Sequence, residues 1–270
     1  MTTEHLRFLK KIRRRRRMVV FLRILILFLF LLQWEICLLV WELCSSYEII
    51  NSFIFSSPSR IVTCFLKMTE DGSVFHHIGI TLYETLVSFL LATLTSILIA
   101  ILLWCFHGLS EILDPYMVVL NSLPKSALAP LLIVWLGANT TTIVVAGMSV
   151  AIFGSILNLY TSFSTIDQEK IRLIYTLHGK RRHALTKVVL PGSIPAIISN
   201  MKVNIGLCLV GVIIGEFLAA RSGLGYLIIY SSQVFKLDWL LMSICILCII
   251  AVLLYTIIGL IEKWYLKKTG

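Results

Sequence analysis

Six stretches of this 270-residue chain are apolar over the length a helix needs to cross a bilayer. They run Met18–Leu43, Ile80–Phe106, Pro115–Leu136, Thr142–Tyr160, Ile194–Ala219 and Asp238–Ile261. A hydrocarbon core takes roughly 20 helical residues. Inside it no water satisfies backbone N–H and C=O groups, so only helices and closed barrels span it. These blocks are too long and too continuously apolar for barrel strands. The expected fold is an all-α integral membrane protein with six transmembrane helices. Composition agrees: 58% of residues are hydrophobic, 14% are charged and the mean hydropathy is +0.92, which excludes an ordinary soluble domain.

The formal charge of +10 would suit nucleic acid, but its placement argues for topology. Eight Lys and Arg precede the first block, six lie between the fourth and fifth blocks, and three follow the sixth. Only Arg60, Lys67, Arg221 and Lys236 fall in the loops on the other side. The positive-inside rule therefore places both termini in the cytoplasm, with the lipid bilayer rather than nucleic acid as partner. The basic KKIRRRRR run resembles the start of a signal peptide, but the apolar run behind it is too long and no small-residue cleavage site follows. The expected organisation is a basic cytoplasmic tail (1–17), a first transmembrane helix (18–44) and an external linker (45–79). A core domain (80–262) with a cytoplasmic loop (166–193) and a short cytoplasmic tail (263–270) follow. Within the linker, Pro58 of FSSPSR favours extended geometry before a short helix around 60–68.

No catalytic constellation is visible, so no catalytic, cofactor-binding or metal-binding residue is assigned. The six His are scattered, the seven Cys sit almost all in apolar runs, and no Walker-type phosphate loop occurs. Intramembrane charges are the remaining leads, because they are costly and usually face an interior. Lys125 lies deep in the third span and Lys202 near the cytoplasmic end of the fifth, while Glu35, Glu42, Glu84 and Glu216 lie towards the outer ends of their spans. Asp114-Pro115 suits the start of the third span, and Pro124 and Pro130 each remove a backbone bond within it. That span reads equally as a pore-lining broken helix or as a packing kink. Lys125 reads as a substrate contact or as a helix-end cation. Gly211 and Gly215 form a GxxxG that lets a helix approach closely, within one subunit or across a dimer. Arg221-Ser222-Gly223-Leu224-Gly225 marks a tight external turn.

The 166–193 loop carries Ile171, Ile174, Leu177 and Leu185 at mostly three- and four-residue steps, with cations opposite. Gly179 allows a break between two short helices, and Pro191 and Pro195 are expected to stop one helix and shape the entry to the next. Such a loop docks in a protein groove or lies on the lipid surface; amphipathicity suits both. Other function classes consistent with the residues are a lipid-modifying membrane enzyme and a membrane-anchored scaffold.

The loop resembles the cytoplasmic loop of the membrane subunits of binding-protein-dependent ABC importers, with pattern EAA-x3-G-x9-[IV]-x-LP. Leu190-Pro191 and Val188 match its end; the family's Gly falls on His178, one place before Gly179, and EAA falls on Arg172, Leu173 and Ile174. FSSPS, LDPYMVVLNSLPKSALAPLLIVWLG and GEFLAARSGLGYLI resemble the branch serving nitrate, taurine, aliphatic sulfonates and thiamine-precursor pyrimidines. The resemblance implies a type I importer permease in a bacterial cell membrane, with a second permease copy as a homodimer partner, cytosolic ABC ATPase subunits and an external solute-binding protein. It implies that Arg172, Leu173, Ile174, Leu177, His178, Gly179, Leu185, Val188, Leu190 and Pro191 couple to the ATPase. It also puts Pro124, Lys125, Pro130, Lys202 and Glu216 along the translocation path, and Arg221, Gly223 and Gly225 at the outer mouth.

Overall fold

The computed structural model describes Leu22, Leu29 and residues 32–269, so the basic tail and much of the first half of the expected first span lie outside the described residues. The chain forms two compact units, Met1–Thr63 and Cys64–Gly270.

In the first unit, α1 (residues 32–46) is followed by α2 (Ser52–Phe55) and the start of α3 (Pro58–Glu70). Pro58 takes the first helical position, where a missing N–H costs nothing. The Glu42 carboxylate accepts the Ser59 backbone N–H at 3.0 Å and its hydroxyl at 2.7 Å, occupying a free donor of that helix start. The expected 60–68 helix is present and two residues longer at each end.

The second unit continues with α4 (Ser73–Cys105), α5 (His107–Ser122), α6 (Lys125–Leu136), α7 (Thr140–Ser164), α8 (Gln168–Thr176) and α9 (Arg181–Ala184). A single π-turn (Leu185–Val189), α10 (Leu190–Ala219), α11 (Leu224–Gln233) and α12 (Leu237–Thr269) complete it. Four helices here are long and apolar enough to cross a membrane: α4, α7, the continuous run Arg181–Ala219, and Leu237–Lys267. The pair α5 and α6, bent by 95°, makes a fifth if counted as one broken span.

Helix α7 lies at the centre, packed most extensively against α10 and α4. Glycine makes that approach possible. A Cβ on Gly147 would stand 2.6 Å from Ser88 Oγ, and one on Gly211 2.8 Å from the Gly147 Cα. Gly215 likewise faces Ile143. The GxxxG of α10 is thus used within the subunit. Below this crossing Ser155 ties three helices together: its hydroxyl donates to Ser96 at 2.8 Å and accepts the amides of Asn200 and Asn204 at 2.6 and 3.0 Å. With no hydrophobic drive between helices in lipid, close small-residue packing and such buried bonds hold the bundle.

Two expectations are corrected. Helix α5 starts at His107, so Pro115 lies inside it and the third span is two helices. Contacts on both sides of Pro115 hold the helix through it: Ser110 and Met117 are buried, and Ser110 meets the Tyr160 hydroxyl at 2.9 Å. The break comes instead at Leu123-Pro124, where Leu123 is extended (φ −61°, ψ 139°), as the residue before proline prefers. Pro130 is accommodated within α6. Nor do Pro191 and Pro195 stop a helix; the run from Arg181 to Ala219 is unbroken. A proline ring crowds the carbonyl four residues earlier, and the π-turn immediately before Pro191 widens the backbone there.

Candidate functional site

At one end of the bundle the turn between α10 and α11 is held by its own backbone donors. Three consecutive N–H groups at the start of α11 each meet a side chain. Gly223 donates to His77 Nδ1 at 3.0 Å, Leu224 to Thr81 Oγ1 at 2.8 Å, and Gly225 to Glu216 Oε2 at 2.5 Å. The Thr81 hydroxyl in turn donates a hydrogen bond to Glu216 Oε1 at 2.7 Å. Glu216 is fully buried, and these donors together with the positive end of α11 face its carboxyl group. Gly223 sits at φ +111°, and a Cβ on either Gly223 or Gly225 would strike the Glu216 side chain. That explains both glycines of the turn. Arg221 beside them is exposed.

Glu216, Gly223 and Gly225 therefore form one constellation. His77 and Thr81, which complete it, were missed in the sequence. So was the partnership of Glu84, fully buried with its carboxyl against that of Glu216. The available signal was polar residues at 77, 81 and 84, one helical face of an otherwise apolar α4. Glu84 also lines a cavity of about 340 Å3 with Tyr83, Asn139, Thr140 and Arg221.

The two intramembrane lysines are engaged. Lys125 Nζ donates to the carbonyls of Leu120 and Asn121 at 2.7 and 2.6 Å, filling acceptors that the end of α5 leaves open. It lies 5.7 Å from the Phe153 ring centroid. Lys202 on α10 forms a salt bridge with Glu262 on α12, both side chains about one-fifth exposed, below the ring of Tyr255. Pro124 marks the bend between α5 and α6, and Pro130 lies exposed on α6.

At the opposite end, α8 and α9 carry the basic loop. Ile171, Ile174, Leu185, Val188 and Leu190 pack in one core cluster with Trp104, Leu159 and Phe163. Leu173 and Leu177 do not join it; they are 59% and 70% exposed and lie one turn apart. The apolar stripe read from spacing is therefore two faces, one turned into the bundle and one turned out. Asp167 caps α8, accepting the Glu169 N–H at 2.9 Å. The end of α8 is a Schellman turn: His178 N–H bonds Tyr175 O, and Gly179 N–H bonds Ile174 O at 2.8 Å. His178 stands at φ +58°, so it, and not Gly179, takes the left-handed position. Gly179 is needed for space, since its Cβ would lie 2.7 Å from the Ile174 carbonyl oxygen. Arg172 lies exposed on α8. Arg181 stacks on Trp104 at 5.2 Å and donates to its carbonyl at 2.6 Å, fastening α9 to the end of α4. Pro191 follows the π-turn at the head of α10.

Among the described residues no group of three or more His, Cys, Asp or Glu could hold a metal ion. A helical bundle with a polar turn at one end and a basic loop at the other is similar to known proteins. The chain is 25% identical over 219 residues to the putative aliphatic sulfonates transport permease protein SsuC of Bacillus subtilis, covering 81% of this chain and 79% of that one. It is 24% identical over 216 residues to the taurine transport system permease protein TauC of Escherichia coli, covering 78% of each. It is 24% identical to the formylaminopyrimidine transport permease protein ThiX of Halalkalibacterium halodurans, over 64% of this chain and 69% of that one. The fold is similar to that of a chain of the MetNI methionine ABC transporter in an inward-facing conformation. There the TM-score is 0.65 at 15% identity, covering 72% of this chain and 97% of that one. Residues 92–269 match the binding-protein-dependent transport system inner membrane component family. The chain belongs to that family and is the permease subunit of an ABC importer, a multi-pass membrane protein that transports rather than catalyses.

Proposed function

We propose that this permease couples to a cytosolic ABC ATPase through residues 166–193, with the outward-facing Leu173 and Leu177 of α8 as the docking anchors. Two leucines one helical turn apart, exposed beside Lys170 and Arg172, suit an apolar groove with an acidic rim and gain little from water. That exposed pair is the observation that carries the reading. The inward face of the same segment is part of the bundle core and Arg181 ties it to α4, so force on α8 passes directly to the spanning helices. ATP-driven movement of the ATPase then opens and closes the path, which the bent α5–α6 pair and α10 line. Both termini and the 166–193 segment lie in the cytoplasm of a bacterial cell. The Arg221–Gly225 turn lies outside, where a solute-binding protein delivers cargo, and a second copy of the chain completes the path.

The test is co-purification of the ATPase from native membranes with wild type and with the Leu173→Asp/Leu177→Asp variant. Both side chains are exposed, so the bundle itself is not disturbed. Loss of ATPase from the variant is expected; undiminished recovery overturns the coupling role.

A further inference from the structure

A second cavity of about 340 Å3 lies at the opposite end of the bundle, where two spanning helices stop and the basic segment begins. Trp104 from the end of α4, Tyr160 and Ser164 from the end of α7, Tyr175 of α8 and Arg181 of α9 line it. Because α4 and α7 both cross the membrane, the place where they end is the edge of the bilayer. Trp and Tyr favour that depth, where the ring meets apolar groups and its polar atom reaches water. The charge on the wall is of one sign. Arg181 lines the cavity and no Asp or Glu does; His107, also on the wall, meets Glu111 outside it at 3.4 Å. The guanidinium is already held in place, stacked on the Trp104 ring at 5.2 Å and giving one donor to the Trp104 carbonyl at 2.6 Å. A fixed guanidinium with donors left over suits a phosphate, whose oxygens accept two of them side by side. The hydroxyls of Ser164 and Tyr175 add further donors on the same wall. Around the junction of α4 and α5 the apolar side chains of Leu102, Phe106 and Leu109 are exposed. A free phosphate answers only the cation, whereas a phosphate carrying acyl chains answers both features. Ile171 and Tyr175 on the wall each precede one of the exposed leucines by two residues, about 200° round a helix. The cavity therefore faces the side of α8 turned away from Leu173 and Leu177.

We propose that this cavity binds an anionic phospholipid, with the headgroup phosphate at Arg181 and the acyl chains along Leu102, Phe106 and Leu109. Basic pockets between spanning helices at the bilayer edge recognise lipid headgroups in this way. Bound there, the lipid sits behind the docking helix and leaves its outward leucines free. Only the choice of leaflet, the cytoplasmic one, rests on the proposed orientation; the binding itself does not.

The test uses the full chain, delipidated in detergent and titrated with phosphatidylglycerol or phosphatidylcholine of the same acyl chains, with bound lipid counted by native mass spectrometry. The first phosphatidylglycerol is expected to bind roughly tenfold tighter than phosphatidylcholine, the worth of one charge-assisted contact. Arg181→Gln should abolish that preference, and so should Ser164→Phe, which fills the cavity and leaves the charge in place. Arg182→Gln, which removes an exposed cation next in sequence that does not line the cavity, should retain it. Equal binding of the two lipids, or an equal loss in Arg181→Gln and Arg182→Gln, overturns the proposal, the latter by showing general attraction to basic residues. Binding of sn-glycerol 3-phosphate as tight as that of the lipid also overturns it, in favour of a soluble phosphate ester. Should Arg181→Gln fail to give a cooperative melting curve, Ser164→Phe decides. ATPase co-purification reads Leu173 and Leu177 on the other face of α8, so the two readings fall separately.

Discussion

Thr81 stands between Glu216 and the start of α11, donating its hydroxyl proton to the carboxylate at 2.7 Å while accepting the Leu224 N–H at 2.8 Å. One small side chain on α4 thereby joins α10 to α11. Replacing Thr81 with Val keeps the shape and removes both bonds, leaving a buried acid short of a donor. The expected loss is about 1–3 kcal/mol, the range for orphaning a buried polar partner. A lower melting temperature and faster tryptic cleavage after Arg221 would register it; unchanged cleavage would show that the other two contacts suffice.

The Schellman turn closing α8 makes two predictions of opposite sign. His178→Gly relieves a left-handed backbone (φ +58°) and should stabilise the turn by about 0.5–1 kcal/mol after glycine's entropy is counted. Gly179→Ala should cost about 1–3 kcal/mol, because the new methyl meets the Ile174 carbonyl. Hydrogen exchange at residues 177–179 reads both. If the two variants shift protection in the same direction, the assignment of the left-handed position is wrong.

Lys202 and Glu262 join α10 to α12 within the apolar part of the bundle. Lys202→Met alone strands Glu262, which is 22% exposed, and should lower stability by about 1–3 kcal/mol. The double variant Lys202→Met/Glu262→Met should recover most of it, since an apolar pair replaces an ion pair at little net cost. A thermodynamic cycle measures the coupling. Additive losses would mean that the two charges act independently.

Lys125 closes the bend by satisfying Leu120 and Asn121 carbonyls. Lys125→Met should destabilise the α5–α6 pair by about 1–2 kcal/mol, and Lys125→Arg should retain most of the stability, as arginine can donate to the same acceptors. Thermal unfolding of the two variants in nanodiscs provides the comparison. Equal loss in both would assign the effect to the shape of the lysine rather than to its donors.

The apolar blocks announced the spanning helices because hydrocarbon leaves the backbone no alternative, a constraint that acts on each segment by itself. The two short helices of the 166–193 segment were legible for a similar reason: the apolar spacing and the break near Gly179 are local. Pro115 misled because contacts on either side of it, with other helices, hold α5 through it, and Pro191 because the π-turn ahead of it makes room for the ring within one continuous run. The same limit hid the roles of His77 and Thr81 and the partner of Glu84. Each is an ordinary polar residue in α4 until α10 and the Arg221–Gly225 turn, more than 130 residues away, are folded against it. The sequence by itself determined an all-α membrane permease and the position of its basic loop. Only the tertiary structure decided which face of that loop points outward, which residue takes its left-handed turn, and that two buried acids meet beside a cavity. Such facts depend on distances between segments, and a linear pattern carries none of them.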